Sequence, residues 1–142
     1  MRMSQTGRIG IVVAAVVLGV AFVPCLPVSA GVAASTARLH VSPSPARFPS
    51  TPPPYWPMPI VKVTITNTGN TTIKSITVHP VSVYSVPSTT CTTLHPGQHC
   101  VARIQFCPTS PNHYVDTLTI TGKNALTGSP VRVRGTLDGT AT

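Results

Sequence analysis

The sequence contains no glutamate, and its acidic residues are Asp116 and Asp138 alone. A carboxylate pair for glycoside hydrolysis would have to be those two, and a serine triad would have to borrow one of them. Asp138 falls in what reads as a loose tail, and no serine is framed by nucleophile-elbow glycines. There is no phosphate-cradling glycine loop and no dinucleotide fingerprint. Catalytic residues and cofactors are therefore not expected. Aromatic residues are also scarce, at 5%. The basic residues after the N-terminal segment stand singly, at Arg38, Arg47, Lys62, Lys74, Arg103, Lys123, Arg132 and Arg134. Without a basic run interleaved with aromatics there is no platform for stacking bases, which argues against nucleic-acid recognition. Loose attraction to anionic envelope polymers or lipid headgroups remains compatible with so lopsided a charge.

The N-terminus has the layout of a secretory signal over residues 1–30. Arg2 and Arg8 are its positive region, Ile9 to Val23 its apolar run, and Val28-Ser-Ala30 its small-residue cleavage site. Val32-Ala-Ala34 offers a second cleavage site. The apolar run of 15 residues is shorter than a bilayer-crossing helix, and Pro24 and Pro27 follow it, which favours cleavage over a retained anchor. Lipid attachment at Cys25 is disfavoured because Pro24 stands where a small residue is wanted. Cleavage after Ala30 would leave 112 residues with a net charge of +6. That is enough for one domain, with a marginal core that benefits from a staple.

Residues 31–36 read as a flexible mature N-terminus, and Ala37 to Val41 as a short first strand. Residues 42–59 hold eight prolines, which no central strand tolerates because each removes a ladder donor. The segment reads as an extended strap, tacked to the body by Phe48, Tyr55 and Trp56. From Ile60 the pattern has period two. Val61, Val63 and Ile65 share one face, and Lys62, Thr64 and Thr66 the other. Asn67-Thr-Gly-Asn70 supplies turn chemistry, with Gly69 free to take positive φ. Ile76 and Val78, then Val81 to Val86, mark two further strands. Ala102, Ile104 and Phe106 alternate with Val101, Arg103 and Gln105, and Tyr114, Asp116, Leu118 and Ile120 share a parity. After a turn at 121–129, Val131 and Val133 complete about seven strands, with 138–142 as a C-terminal tail. Many β-branched residues, close turn signals and no helical window predict an all-β antiparallel sandwich over residues 37–137.

Four elements in this order resemble the bacterial choice-of-anchor D domains, related to the ASPM–SPD-2–Hydin and major-sperm-protein type of immunoglobulin-like fold. They are Val-Thr-Ile-Thr-Asn-Thr-Gly (63–69), the Cys91 and Cys100 pair around Pro96-Gly97, the Ile-x-Phe-x-Pro run (104–108) and the closing Val-x-Gly (133–135). The resemblance implies an extracytoplasmic sandwich, often repeated in large surface proteins, with no catalytic residues to carry over. The chain departs from the pattern in its proline-rich strap. It holds one copy without a sorting motif, which points to a freestanding secreted protein. It also has Cys107 where the family carries an ordinary polar residue.

Cys91 and Cys100 flank eight residues with a Pro-Gly turn between them, which suits a cross-strand disulfide in an oxidising compartment. Such a staple contributes about 2.5 kcal/mol. Cys107 is the odd thiol, pointing to the opposite face from Cys100, with no CxxC or activator beside it. His95 and His99 next to Cys100 raise an alternative reading, an extracytoplasmic copper- or zinc-binding protein. The intervening Pro96-Gly97 turn and the disulfide weigh against it. Asp116 shares the parity of Leu118 and Ile120 and so faces inward. A buried carboxylate needs a partner, and a wet place at the strand's open end meets that need more simply than a buried ion pair.

The sequence thus points to a secreted or envelope-associated, non-enzymatic immunoglobulin-like module that contacts a protein or an anionic envelope component. Its candidate contact surfaces are Lys62, Thr64 and Thr66 on one face and the exposed edge of the last strand with Arg132 and Arg134. Thiol titration of the native protein without its signal should find one reactive cysteine per chain. Three thiols together with bound copper or zinc would favour the metal reading.

Overall fold

Period-two alternation along the chain becomes strands wherever one face can be buried. The computed structural model of the protein describes residues 33–52 and 58–142. The signal and the Tyr55 and Trp56 part of the strap lie outside the described residues. Eight strands run in order: β1 (Leu39–Ser42), β2 (Ala46–Arg47), β3 (Ile60–Asn67), β4 (Ile73–His79), β5 (Tyr84–Thr89), β6 (His99–Phe106), β7 (Asn112–Asn124) and β8 (Pro130–Ala141). They form two four-stranded sheets, ordered β1-β3-β6-β5 and β2-β8-β7-β4. Every pairing in the sheets is antiparallel except β2 with β8. The predicted immunoglobulin-like antiparallel sandwich is the observed fold.

The core lies between the sheets. Val63 and Ile65 of β3 and Ala102, Ile104 and Phe106 of β6 face Ile73, Leu118, Ile120 and Leu137 from the other sheet, all at most 1% exposed. At one end Phe106 stands amid Phe48, Tyr84 and Tyr114, with ring centroids 5.2–5.8 Å away. Phe48 comes from the proline-rich segment and is buried there. The Tyr84 hydroxyl donates to the Tyr114 carbonyl at 2.8 Å. Burial, reinforced by the Asp116 and Asp138 carboxylates and partly offset by the Gly139 N–H, pushes the Tyr84 phenol up to about 12.

Several boundaries differ from the sequence reading, each for a local reason. Of the expected tail at 138–142, residues 138–141 are the end of β8, because the proline-rich segment lies beside them and supplies partners. The Phe48 N–H donates to the Asp138 carbonyl at 2.9 Å, and Thr51 N–H to Thr140 at 3.0 Å. The strand expected from Val81 starts at Tyr84, since Tyr84 N–H turns back to the Val81 carbonyl at 2.8 Å. The turn expected at 121–129 shrinks because β7 runs to Asn124, whose side chain accepts from the Leu126 N–H at 2.9 Å. Residues 34–36, expected to be loose, are held by Asn70. Its Oδ1 accepts from Thr36 N–H at 2.7 Å and its Nδ2 donates to the Ala34 carbonyl at 3.0 Å.

Asn67 ends β3 fully buried, and all its polar groups are engaged. Its Nδ2 donates to the Thr71 carbonyl at 2.8 Å and to the Leu94 carbonyl at 2.9 Å, and its Oδ1 accepts from Gly69 N–H at 3.0 Å. Its main chain bonds Gln98 and Gly97 across the neighbouring loop, both at 2.9 Å. Gly69 does not adopt positive φ, contrary to expectation; Gly97 does, at 79°. Glycine is required at 69 for a different reason: a Cβ there would run into the Thr36 carbonyl and come within 2.8 Å of Arg38 N. At Pro96-Gly97 the Gln98 N–H bonds the His95 carbonyl at 3.0 Å, closing a turn that needs a left-handed residue at its third position. The Cys91–Cys100 disulfide forms as expected. It ties buried Cys100 of β6 to the segment that leaves β5 and crosses to β4, where Leu94 and Ile73 exchange backbone hydrogen bonds of 2.8 and 2.9 Å.

Asn67→Ala should cost about 3 kcal/mol or more in urea unfolding, since it strands two buried carbonyls and one N–H. Asn67→Asp should be no better, because it faces the same carbonyls with acceptors. Tyr84 gives a pH signature. Its folded pKa is raised above the unfolded value of 10 to about 12. Its contribution is therefore complete below pH 10 and is lost as pH rises from about 10 to about 12. Urea midpoints across that window should fall in wild type more steeply than in Tyr84→Phe.

Candidate contact faces

The outer face of the β1-β3-β6-β5 sheet carries the side chains that alternation sends away from the core. Lys62, Thr64 and Thr66 of β3 lie there, as expected. The register sets Lys62 opposite Arg103, Thr64 opposite Val101 and Thr66 opposite His99 on β6. Thr66 also faces His40 of β1, and Arg103 faces Ser88 of β5. Both aspartates belong to β7 and β8, so this sheet contains no carboxylate.

The outer face of the second sheet brings together residues that are far apart in sequence. Lys74 of β4 stands directly opposite Lys123 of β7. Lys123 pairs with Pro130 of β8, Thr121 with Arg132 and Thr119 with Arg134. Lys74, Lys123, Arg132 and Arg134 are all exposed on this face, among Thr77, Thr119, Thr121 and His79. His79 Nε2 and the Thr121 hydroxyl lie 2.9 Å apart. Charges that look scattered along the chain thus form a basic face, because β4, β7 and β8 contribute to it in register. A basic cluster of this kind leaves no sequence signal beyond the outward parity of each residue.

The last strand is covered on its outer side only near its end, and no strand pairs with the 130–135 stretch on that side among the described residues. Leu137 and Asp138 pair with β2, and the Thr136 N–H is taken by Ser44 Oγ at 3.1 Å. Arg132 and Arg134 lie before that covered stretch, with their side chains exposed on the sheet face.

The two carboxylates do not meet. Asp116 lies opposite Leu137 and Asp138 opposite Val115, so they leave opposite faces of the sheet. Asp138 sits 2.7 Å from His113 Nε2 and 3.9 Å from Arg47 Nε. Asp116 is half-buried near the open end of the core, with no ion pair among the described residues. The histidines are equally dispersed. His95 Nδ1 lies 3.0 Å from the Thr72 hydroxyl, His99 is on the outer sheet face, and Cys100 is bound to Cys91. No group of three potential metal ligands occurs among the described residues. Cys107 follows the end of β6 as a half-buried free thiol, its Sγ 3.8 Å from Ser85 Oγ.

No family model matches this chain, and no curated protein matches it. Among solved structures it is similar to the ASH / PapD-like domain of human CEP192 (PapD-like domain 7), with a TM-score of 0.58 and 15% identity. That match covers 76% of this chain and 87% of that domain. It is also similar to the Vibrio cholerae VesB protease, with a TM-score of 0.58 and 14% identity over 73% of this chain. A protein of unknown function from Porphyromonas gingivalis W83 matches with a TM-score of 0.54 and 18% identity, again over 73% of this chain. The chain spans 32% of the protease and 47% of the Porphyromonas protein. Likeness at these identities establishes the fold and nothing of the whole proteins' activities.

Proposed function

We propose that this chain is an exported, non-enzymatic immunoglobulin-like module of the choice-of-anchor D kind, acting by contact with an anionic polymer of the cell envelope. The observation that carries this reading is the basic face of Lys74, Lys123, Arg132 and Arg134 on the β4-β7-β8 surface. Cations fixed on a rigid sheet attract a polyanion and release its counterions, which gives affinity without a deep pocket. Threonines rather than aromatics lie among them, which suits a carbohydrate or phosphate polymer better than stacked bases. The disulfide supports an oxidising compartment. The separation of Asp116 from Asp138 supports a non-catalytic role.

The test is binding to alginate, with neutral dextran and single-stranded DNA as comparisons, over a range of salt. Alginate should bind and dextran should not, with affinity falling as salt rises. Replacing Lys74, Lys123, Arg132 and Arg134 together by glutamine should weaken binding roughly ten- to a hundredfold, from exposed pairs worth up to about 1 kcal/mol each. An unchanged affinity in that variant, or tighter binding to DNA than to alginate, would overturn the reading.

A further inference from the structure

The opposite sheet carries a smaller and more defined feature. Lys62, Arg103 and Ser88 lie in one cross-strand row over β3, β6 and β5. Directly opposed residues on a sheet face have Cβ atoms only about 4.5–5.5 Å apart, and like charges so placed repel. No carboxylate exists anywhere in this sheet to relieve the repulsion. The row borders a surface hollow of about 290 Å³ lined by Lys62, Ser88, Thr89, Thr90, Val101 and Arg103.

The hollow has a structural origin. Edge strand β5 loses its register with β6 between Ser85 and Ser88, at Pro87, which has no N–H for the ladder. Such irregularities bend a strand and re-aim its side chains. Beyond the bend, the Thr90 hydroxyl is committed to Val101, whose N–H it accepts at 3.0 Å. Thr89 Oγ1 accepts from Cys91 N–H at 3.0 Å. The Ser88 hydroxyl has no partner among the described residues and is free to donate.

We infer that Lys62, Arg103 and Ser88 form a binding site for a phosphate or sulfate group. The guanidinium offers a planar fork for two oxygens, the ammonium a mobile point charge, and the serine a third donor. Three donors around one hollow match a tetrahedral oxyanion better than a carboxylate, which has two oxygens to share. The anion would supply the counter-charge that the sheet lacks, so binding relieves a repulsion already present. This site lies on the other side of the sandwich from the proposed polymer face and does not depend on it.

The experiment is a ¹⁵N–¹H NMR titration of the full chain with inorganic phosphate, with ionic strength held constant by chloride. Saturable shifts should centre on the amides of Lys62, Ser88 and Arg103. Arg103→Gln should weaken phosphate binding about tenfold, the scale of one charge-assisted hydrogen bond. Arg103→Lys, which keeps the charge but loses the fork, should fall between. Lys123→Gln, on the opposite face, should bind phosphate like wild type, which separates failure of this site from failure of the polymer face. Non-saturating shifts, shifts spread over both faces, or wild-type affinity in Arg103→Gln would overturn the inference. Glycerol phosphate and phosphatidic-acid vesicles then distinguish the source. Saturation by glycerol phosphate assigns a soluble monoester, saturation by vesicles alone assigns a lipid headgroup, and engagement by neither counts against the site.

Discussion

The buried amide of Asn67 is the constraint from which the remaining geometry follows. A side chain with two donors and one carbonyl sits at the end of β3, where the chain must turn away from the first sheet. It closes its own turn through Gly69 and holds the start of β4 through Thr71. Through Leu94 it also holds the segment that crosses between sheets just after the disulfide. The N-terminal residues then lie so close over this turn that position 69 has no room for a Cβ. Low local dielectric makes each of these bonds costly to lose. The Cys91–Cys100 link reinforces the same corner covalently. Together they fix how the chain leaves β3 for β4 and where the segment before β6 crosses between the sheets.

With that frame in place, composition decides what the outer faces look like. A chain with ten lysines and arginines against two aspartates cannot neutralise its own surface. Asp138 is engaged by His113 and Arg47 at one end, and Asp116 faces inward near Tyr84. The outer faces of both sheets are left with cross-strand cation pairs, Lys62 with Arg103 and Lys74 with Lys123. The strap contributes indirectly: by lying along the end of β8 it occupies backbone groups that an incoming strand would need. Contact through side chains on the faces therefore fits this molecule better than strand addition at that end of β8.

Much of this was legible in the sequence, for a physical reason: alternation reports burial directly. The inward set Ala102, Ile104 and Phe106, the outward set Lys62, Thr64 and Thr66, and the cysteine staple all follow from spacing within one short segment. What was not legible depends on neighbours distant in the chain. The parallel pairing of Ala46 and Arg47 with β8 leaves no periodic signal in a proline-rich stretch. The strand character of 138–141 depends on that same partner, so composition alone reads it as a tail. The need for glycine at 69 was not legible either, since its cause is the approach of Thr36 rather than a positive φ. The basic face escaped because Lys74, Lys123, Arg132 and Arg134 become neighbours only through strand register.

The claim that the molecule works through a polyanion held on the β4-β7-β8 face can be tested at the level of individual residues. Alginate carrying a nitroxide spin label would broaden resonances of nearby protein groups, read by NMR on the isotopically labelled protein. The account predicts broadening concentrated on Lys74, Lys123, Arg132 and Arg134 and their threonine neighbours, with the 91–100 loop spared. Broadening centred on that loop and its histidines, or distributed evenly over the surface, would contradict it.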